Sequence, residues 1–178
     1  ESGTIHIARA RQSALFPARF QLVAAMNRHT DAYGGARSES GTRKSFSKPF
    51  LDRIDLQVEI PRLPLNTLIA PAREESSADL AKRVQSARTI QQRRWPGEPI
   101  RYLNAHISSR QLKTCTGLKP PDQLHLTEMM ETLGMSTRAY YRILRIARTL
   151  ADLEGQDHLN MLHLMEAVQF RQMDLNGS

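Results

Sequence analysis

Residues 136–153 read STRAYYRILRIARTLADL. Ser136 is a side-chain acceptor of the kind that caps a helix start. Behind it, at 100° per residue, Tyr140, Ile143, Leu144, Ala147, Leu150 and Ala151 share one broad apolar face. Arg138, Arg142 and Arg145 fall within about 60° of one another on the opposite side, with Arg148 flanking them. No acid stands between Ser136 and Ala151 to relieve them. Two readings of this stripe stay open. It is a solvated helix face, or it is a surface on which Arg142, Arg145 and Arg148 bind nucleic-acid phosphate. Like charges at i, i+4 and i+7 are mildly unfavourable without an anion.

Working outward, the helical pattern continues on both sides. NMLHLMEAVQF (160–170) opens on a capping asparagine. PDQLHLTEMMETL (121–133) places Leu126, Met129, Met130 and Leu133 at core spacing and stops at Gly134. SSRQLKTC (108–115) is a short helix. SSADLAKRVQSARTIQQRRW (76–95) starts on serines, puts Leu80, Val84 and Ala87 on one face, and ends before Pro96 and Gly97. Residues 76–173 therefore read as a helical domain of a size that folds alone, followed by a tail at 174–178.

Upstream the period changes to two. TIHIARA (4–10) alternates, RQSALF (11–16) follows, and Pro17 interrupts. FQLVAAMN (20–27) is a nearly continuous apolar run, the pattern of a central parallel strand with Asn27 at its carboxyl end. In open α/β sheets ligands sit at that end, so Asn27 is either a turn residue or a group that orients water at a ligand edge. In FLDRIDLQVEI (50–60), Ile54, Leu56, Val58 and Ile60 alternate with Asp55, Gln57 and Glu59, again a strand pattern. Arg53 stands before that strand, where it either pairs with Asp52 or Asp55 or grips an anion. The polar, glycine- and serine-rich stretch 28–49 reads as a surface loop. The sequence thus divides into an α/β part at 1–62, a proline-containing linker at 63–75 and the helical domain. Central strands need neighbours, and this chain offers few.

Composition bounds the function. Apolar content is 40% of the 178 residues, enough for a core, while aromatics at 6% argue against base-stacking platforms. The net charge of +7 favours a polyanionic partner. One cysteine, Cys115, excludes an internal disulfide and fits a reducing, cytoplasmic compartment. No apolar run approaches membrane-spanning length, and the first residues, ESGTIHIARA, carry neither a signal-peptide profile nor a methionine. The stretch is expected to begin inside a longer protein. No metal site is expected: His158 and His163 are five apart on different helix faces, and His29 with Asp31 is a weak local pair. Cys115 has no nearby histidine to activate it, and the chain has no glycine-rich phosphate loop. On its own it has no candidate set for catalysis.

Four stretches converge on a family. FPARFQLVAAMN (16–27), FLDRIDLQVEIPRLP (50–64), MSTRAYYRILRIARTLADLEG (135–155) and HLMEAVQFR (163–171) resemble, in this order, the magnesium-chelatase-like AAA+ ATPases of the ComM (YifB) group. The resemblance implies the C-terminal part of an AAA+ module, a partial α/β nucleotide-binding domain followed by a helical lid, working as a ring, usually a hexamer. By motif, Asn27 corresponds to the sensor-1 residue, Arg53 to the arginine finger that reaches the neighbouring subunit's nucleotide, and Arg138 to the sensor-2 arginine. ATP and Mg²⁺ are the cofactors implied for the full-length protein, and none is expected on this stretch alone. The activity implied is ATP hydrolysis coupled to DNA remodelling or branch migration, related to competence. Two departures stand out. Asn27 is followed by Arg28, His29 and Thr30 rather than proline and cysteines, and the loop holds no cysteine, so a metal-stabilised loop is not supported. The Walker A loop, the Walker B acid and an N-terminal protease-like domain would precede Glu1, so this stretch by itself is expected not to hydrolyse ATP.

Two other readings are carried forward. A magnesium chelatase ATPase subunit would act on a protein partner rather than DNA. A helical DNA-binding module would use residues 134–150 as a recognition helix, which leaves the β segments unexplained.

Overall fold

The computed structural model describes residues 3–9, 12–18, 20–25, 48–51, 53–61, 75–95 and 103–171. Asn27, most of the 28–49 loop and residues 63–74 of the linker lie outside them. The chain divides into two compact units, 1–43 and 44–178.

In the first unit, β1 (Thr4–Arg9) and β2 (Gln12–Pro17) pair antiparallel as a two-stranded sheet. Ile5 faces Phe16 and Ile7 faces Ala14 across the pair, so apolar side chains meet on one face as the alternation requires. The run at 20–25 is not a strand, and Phe20, Leu22 and Val23 are exposed. Nor do residues 54–60 form one, with Leu56, Val58 and Ile60 exposed. The physical reason is the ladder. A strand holds its backbone groups through a neighbour, and among the described residues β1 and β2 pair only with each other. Gln57 instead donates its backbone N–H to the carbonyl of Phe170, 2.8 Å away, at the end of the last helix.

The second unit is helical. It comprises the single-turn α1 (Lys48–Leu51), α2 (Ser77–Arg94), a 3-10 turn (Asn104–His106), α3 (Ser109–Thr116), α4 (Pro120–Thr132), α5 (Thr137–Leu153) and α6 (Met161–Gln169). The caps are local chemistry. Ser76, Ser108, Ser136 and Asn160 each accept the backbone N–H three residues on. In the last of these, His163 completes a capping box by accepting the Asn160 N–H on Nδ1, which leaves Nε2 to donate to Glu154 at 3.0 Å. His163 is thus a structural group. Leu112, Leu126, Ile143, Leu144 and Leu164 form the buried centre, and Ala139, Ala147 and Ala151 are buried along α5. The 54–61 segment, assigned by sequence to the α/β part, packs within this helical unit.

Leu80 and Val84 do not line a core. Both are 46% exposed, and α2 buries only Ala87 and Gln91, in its C-terminal half. At the end of α3, Gly117 takes a left-handed φ of 58°, and a Cβ there would stand 2.6 Å from Nδ1 of His158. Gly117→Ala should therefore lower stability by about 1–2 kcal/mol from backbone strain, with displacement of His158 adding to it; urea unfolding measures the sum. Among the described residues no helix is long and apolar enough to cross a membrane.

Candidate functional site

Arg53 occupies the turn that leaves α1. Its N–H donates to the Phe50 carbonyl and that of Ile54 to the Leu51 carbonyl, both at 2.9 Å, and the side chain of Arg53 is exposed. The next two peptide groups are held from the helices. Arg142 on α5 donates through Nη1 to the Arg53 carbonyl at 2.9 Å and to the Asp55 carboxylate. Arg171, beyond α6, donates through Nη1 to the Ile54 carbonyl at 2.8 Å. Arg142 is 7% exposed and Arg171 fully buried. Gln57 adds an Nε2 bond to the Leu51 carbonyl at 3.1 Å. Donors from three separate segments thus fix the backbone on which the Arg53 guanidinium is carried. Asp55, one of the two acids offered by sequence as a partner for Arg53, is engaged by Arg142.

Arg138 lies in the first turn of α5, two residues after the Ser136 cap, and its side chain is exposed. That turn contains no acid. A cation there faces the positive end of the helix dipole, a placement that an incoming anion relieves. Arg142 is four residues further on, so the Arg53 turn docks on α5 one helical turn from Arg138.

The proposed nucleic-acid stripe is not a solvent-facing stripe. Arg142 is spent on Asp55 and the Arg53 carbonyl, and Arg145 is half-buried, with Nη2 on the Ile107 carbonyl at 3.1 Å. Arg148 is fully buried. It donates to Asp152 at 3.0 Å through Nε, to the Asp157 carbonyl at 2.7 Å, and to the Gln156 carbonyl. Asp152, 1% exposed, also accepts from Arg94 of α2 and, at 2.8 Å, from Asn104 of the 3-10 turn. Burial lowers the pKa of Arg148 and the adjacent Asp152 opposes that shift. Arg142 and Arg148, buried and bonded within the fold, are not presented to a phosphate backbone as they stand. The same packing disposes of α5 as a recognition helix, since α2, α3, α6 and the 3-10 turn all lie against it.

Cys115 is partly buried and burial raises its pKa, which keeps it a thiol. It should react with alkylating reagents much more slowly than an exposed cysteine, as timed labelling would show. Sequence reasoning missed Asp152, Arg94, Asn104 and Arg171. Of these only Asp152 carried a local signal, the i, i+4 spacing from Arg148.

A magnesium chelatase ChlI family model matches residues 1–68, and a model of the ChlI C-terminal part matches residues 74–171. The chain is 40% identical to Competence protein ComM of Haemophilus influenzae over 181 residues, covering 97% of this chain and 35% of that protein. It is 39% identical to YifB of Escherichia coli over 184 residues, covering 98% of this chain and 35% of that one. The chain thus spans about a third of the length of these relatives. With both family models matched in order and the second covering more than half of the chain, the chain belongs to the magnesium chelatase ChlI family.

Proposed function

We propose that this chain is the finger- and lid-bearing portion of a ring-forming AAA+ ATPase of the ComM type, which couples ATP hydrolysis to DNA remodelling. The observation that carries this reading is the Arg53 turn, an exposed guanidinium on a backbone braced by Arg142, Arg171 and Gln57. A brace of this kind suits a group that must meet a charge across a subunit boundary. Arg53 acts as an arginine finger, presenting up to five N–H donors to the neighbouring subunit's nucleotide. Arg138, exposed in the first turn of α5, corresponds by motif to the sensor-2 arginine and is assigned to a phosphate of the nucleotide held by its own subunit. Asn27 acts as the sensor-1 group. ATP with Mg²⁺ supplies the transferable phosphoryl group and the cation that offsets its charge.

DNA is the proposed substrate on two grounds, the net charge of +7 and the likeness to a protein named for competence. Arg142, Arg145 and Arg148, bonded within the helical unit, are not assigned to that contact. Arg145→Gln should accordingly leave the salt dependence of DNA binding unchanged, and a flattened slope would restore a phosphate contact to that residue. The family models favour one alternative, a chelatase subunit acting on a protein. ATP turnover by the full-length protein with and without DNA discriminates between them. Stimulation by DNA that weakens steeply with salt supports the remodelling ATPase, and turnover indifferent to DNA supports the alternative.

A further inference from the structure

We propose that Arg142 and Arg171 are positioning residues for Arg53, and that they tie the finger to the helical unit so that movement of α5 is relayed to it. The inference rests on the arginine-finger reading and adds how that finger is held and moved.

Arg142 and Arg171 lie 89 and 117 residues along the chain from the carbonyls they bind, yet those carbonyls belong to consecutive residues, Arg53 and Ile54. Both cations are buried, and burying a guanidinium is costly unless acceptors are supplied. A loop that needed only to cover a surface would be held more cheaply by apolar side chains. Charge-assisted bonds to the main chain fix position and direction together. They grip the peptide groups and leave the Arg53 side chain exposed. Arg142 shares its face of α5 with Arg138, four residues earlier. A nucleotide that pulls on Arg138 shifts the helix that also carries the brace. The finger offered to one neighbour therefore reports the nucleotide state of its own subunit, which links successive sites around a ring.

The test uses the full-length protein and two readouts. Amide hydrogen exchange over residues 50–58 reports the brace whatever Arg53 does. Arg142→Gln should speed exchange at Arg53 and Ile54 by about tenfold or more, with the amides of Ile143 to Ala147 still protected. Steady-state kinetics report the relay. Arg142→Gln should lower kcat by about 10- to 100-fold, the scale of a small misplacement of a reacting group, with KM for ATP little changed. Arg142→Lys, which keeps the cation and a donor, should recover part of that loss. In an Arg53→Ala background, Arg142→Gln should cost nothing further. Asp55→Asn weakens the same brace from its exposed end and should shift exchange and kcat in the same directions if Arg142→Gln does not fold. Unchanged exchange overturns the brace. A kcat loss of equal size with and without Arg53 overturns the relay, as does full kcat in Arg142→Gln beside a crippled Arg53→Ala. Full kcat in Arg53→Ala itself is the separate result that removes the finger reading.

Discussion

Arg53→Ala in the full-length protein should reduce ATP turnover by roughly 10³-fold or more, the scale on which arginine fingers act in other nucleotide hydrolases. The protein should otherwise look intact. The side chain is exposed, and what holds the turn is its backbone, bonded at the Arg53 N–H and carbonyl. Truncating the guanidinium removes none of those backbone bonds, and contacts of an exposed charged side chain contribute little to stability, so the melting temperature should stay close to wild type. KM for ATP should also change little, because the proposed finger acts on nucleotide bound by the neighbouring subunit. Arg138→Ala should separate from it by raising KM as well as slowing turnover, since that arginine is assigned to the nucleotide of its own subunit. Parallel kinetics and thermal melts of the two variants measure the contrast.

Asp152→Ala should destabilise the helical unit by about 3–5 kcal/mol, the cost of stripping a buried charge network of its counter-ion. Among the described residues Asp152 is the one carboxylate paired with both Arg94 and Arg148. Its removal leaves Arg148, fully buried, beside a second guanidinium with no acid between them. It also takes an acceptor from Asn104, which holds the 3-10 turn against α5. Asp152→Asn keeps the shape and one carbonyl acceptor and should cost less. Equilibrium urea unfolding decides the order, and equal stability of wild type and Asp152→Ala would show the node to be without energetic weight.

What the sequence disclosed was what local chemistry controls. Ser136 and Asn160 cap where their side chains predict, because a cap is made within three residues. Leu126 and Met130 are buried as their spacing requires. The arginine stripe failed for the opposite reason. Asp152 stands one residue beyond the acid-free window, and the other partners of these arginines, at 53, 55, 107, 115, 156 and 157, lie outside the helix that carries them. Leu80 and Val84 have the period of a packed face, but periodicity does not say how far along a helix its neighbour extends. The alternation at 54–60 is real in sequence, yet a strand is a property of two segments. Arg53 was found through motif resemblance, and the brace behind it was invisible until residues 53, 142 and 171 were placed together.

The central claim is that Arg53 works across a subunit boundary, and subunit mixing tests it directly. Arg53→Ala subunits are combined with subunits mutated in the Walker A lysine, each inactive alone, and mixed rings are verified by a tag carried on one variant. An interface joining an intact Arg53 to an intact nucleotide site then exists only in the mixture. Mixtures should hydrolyse ATP faster than either variant, with a maximum at intermediate ratios. Verified mixed rings that stay inactive at every ratio would contradict it.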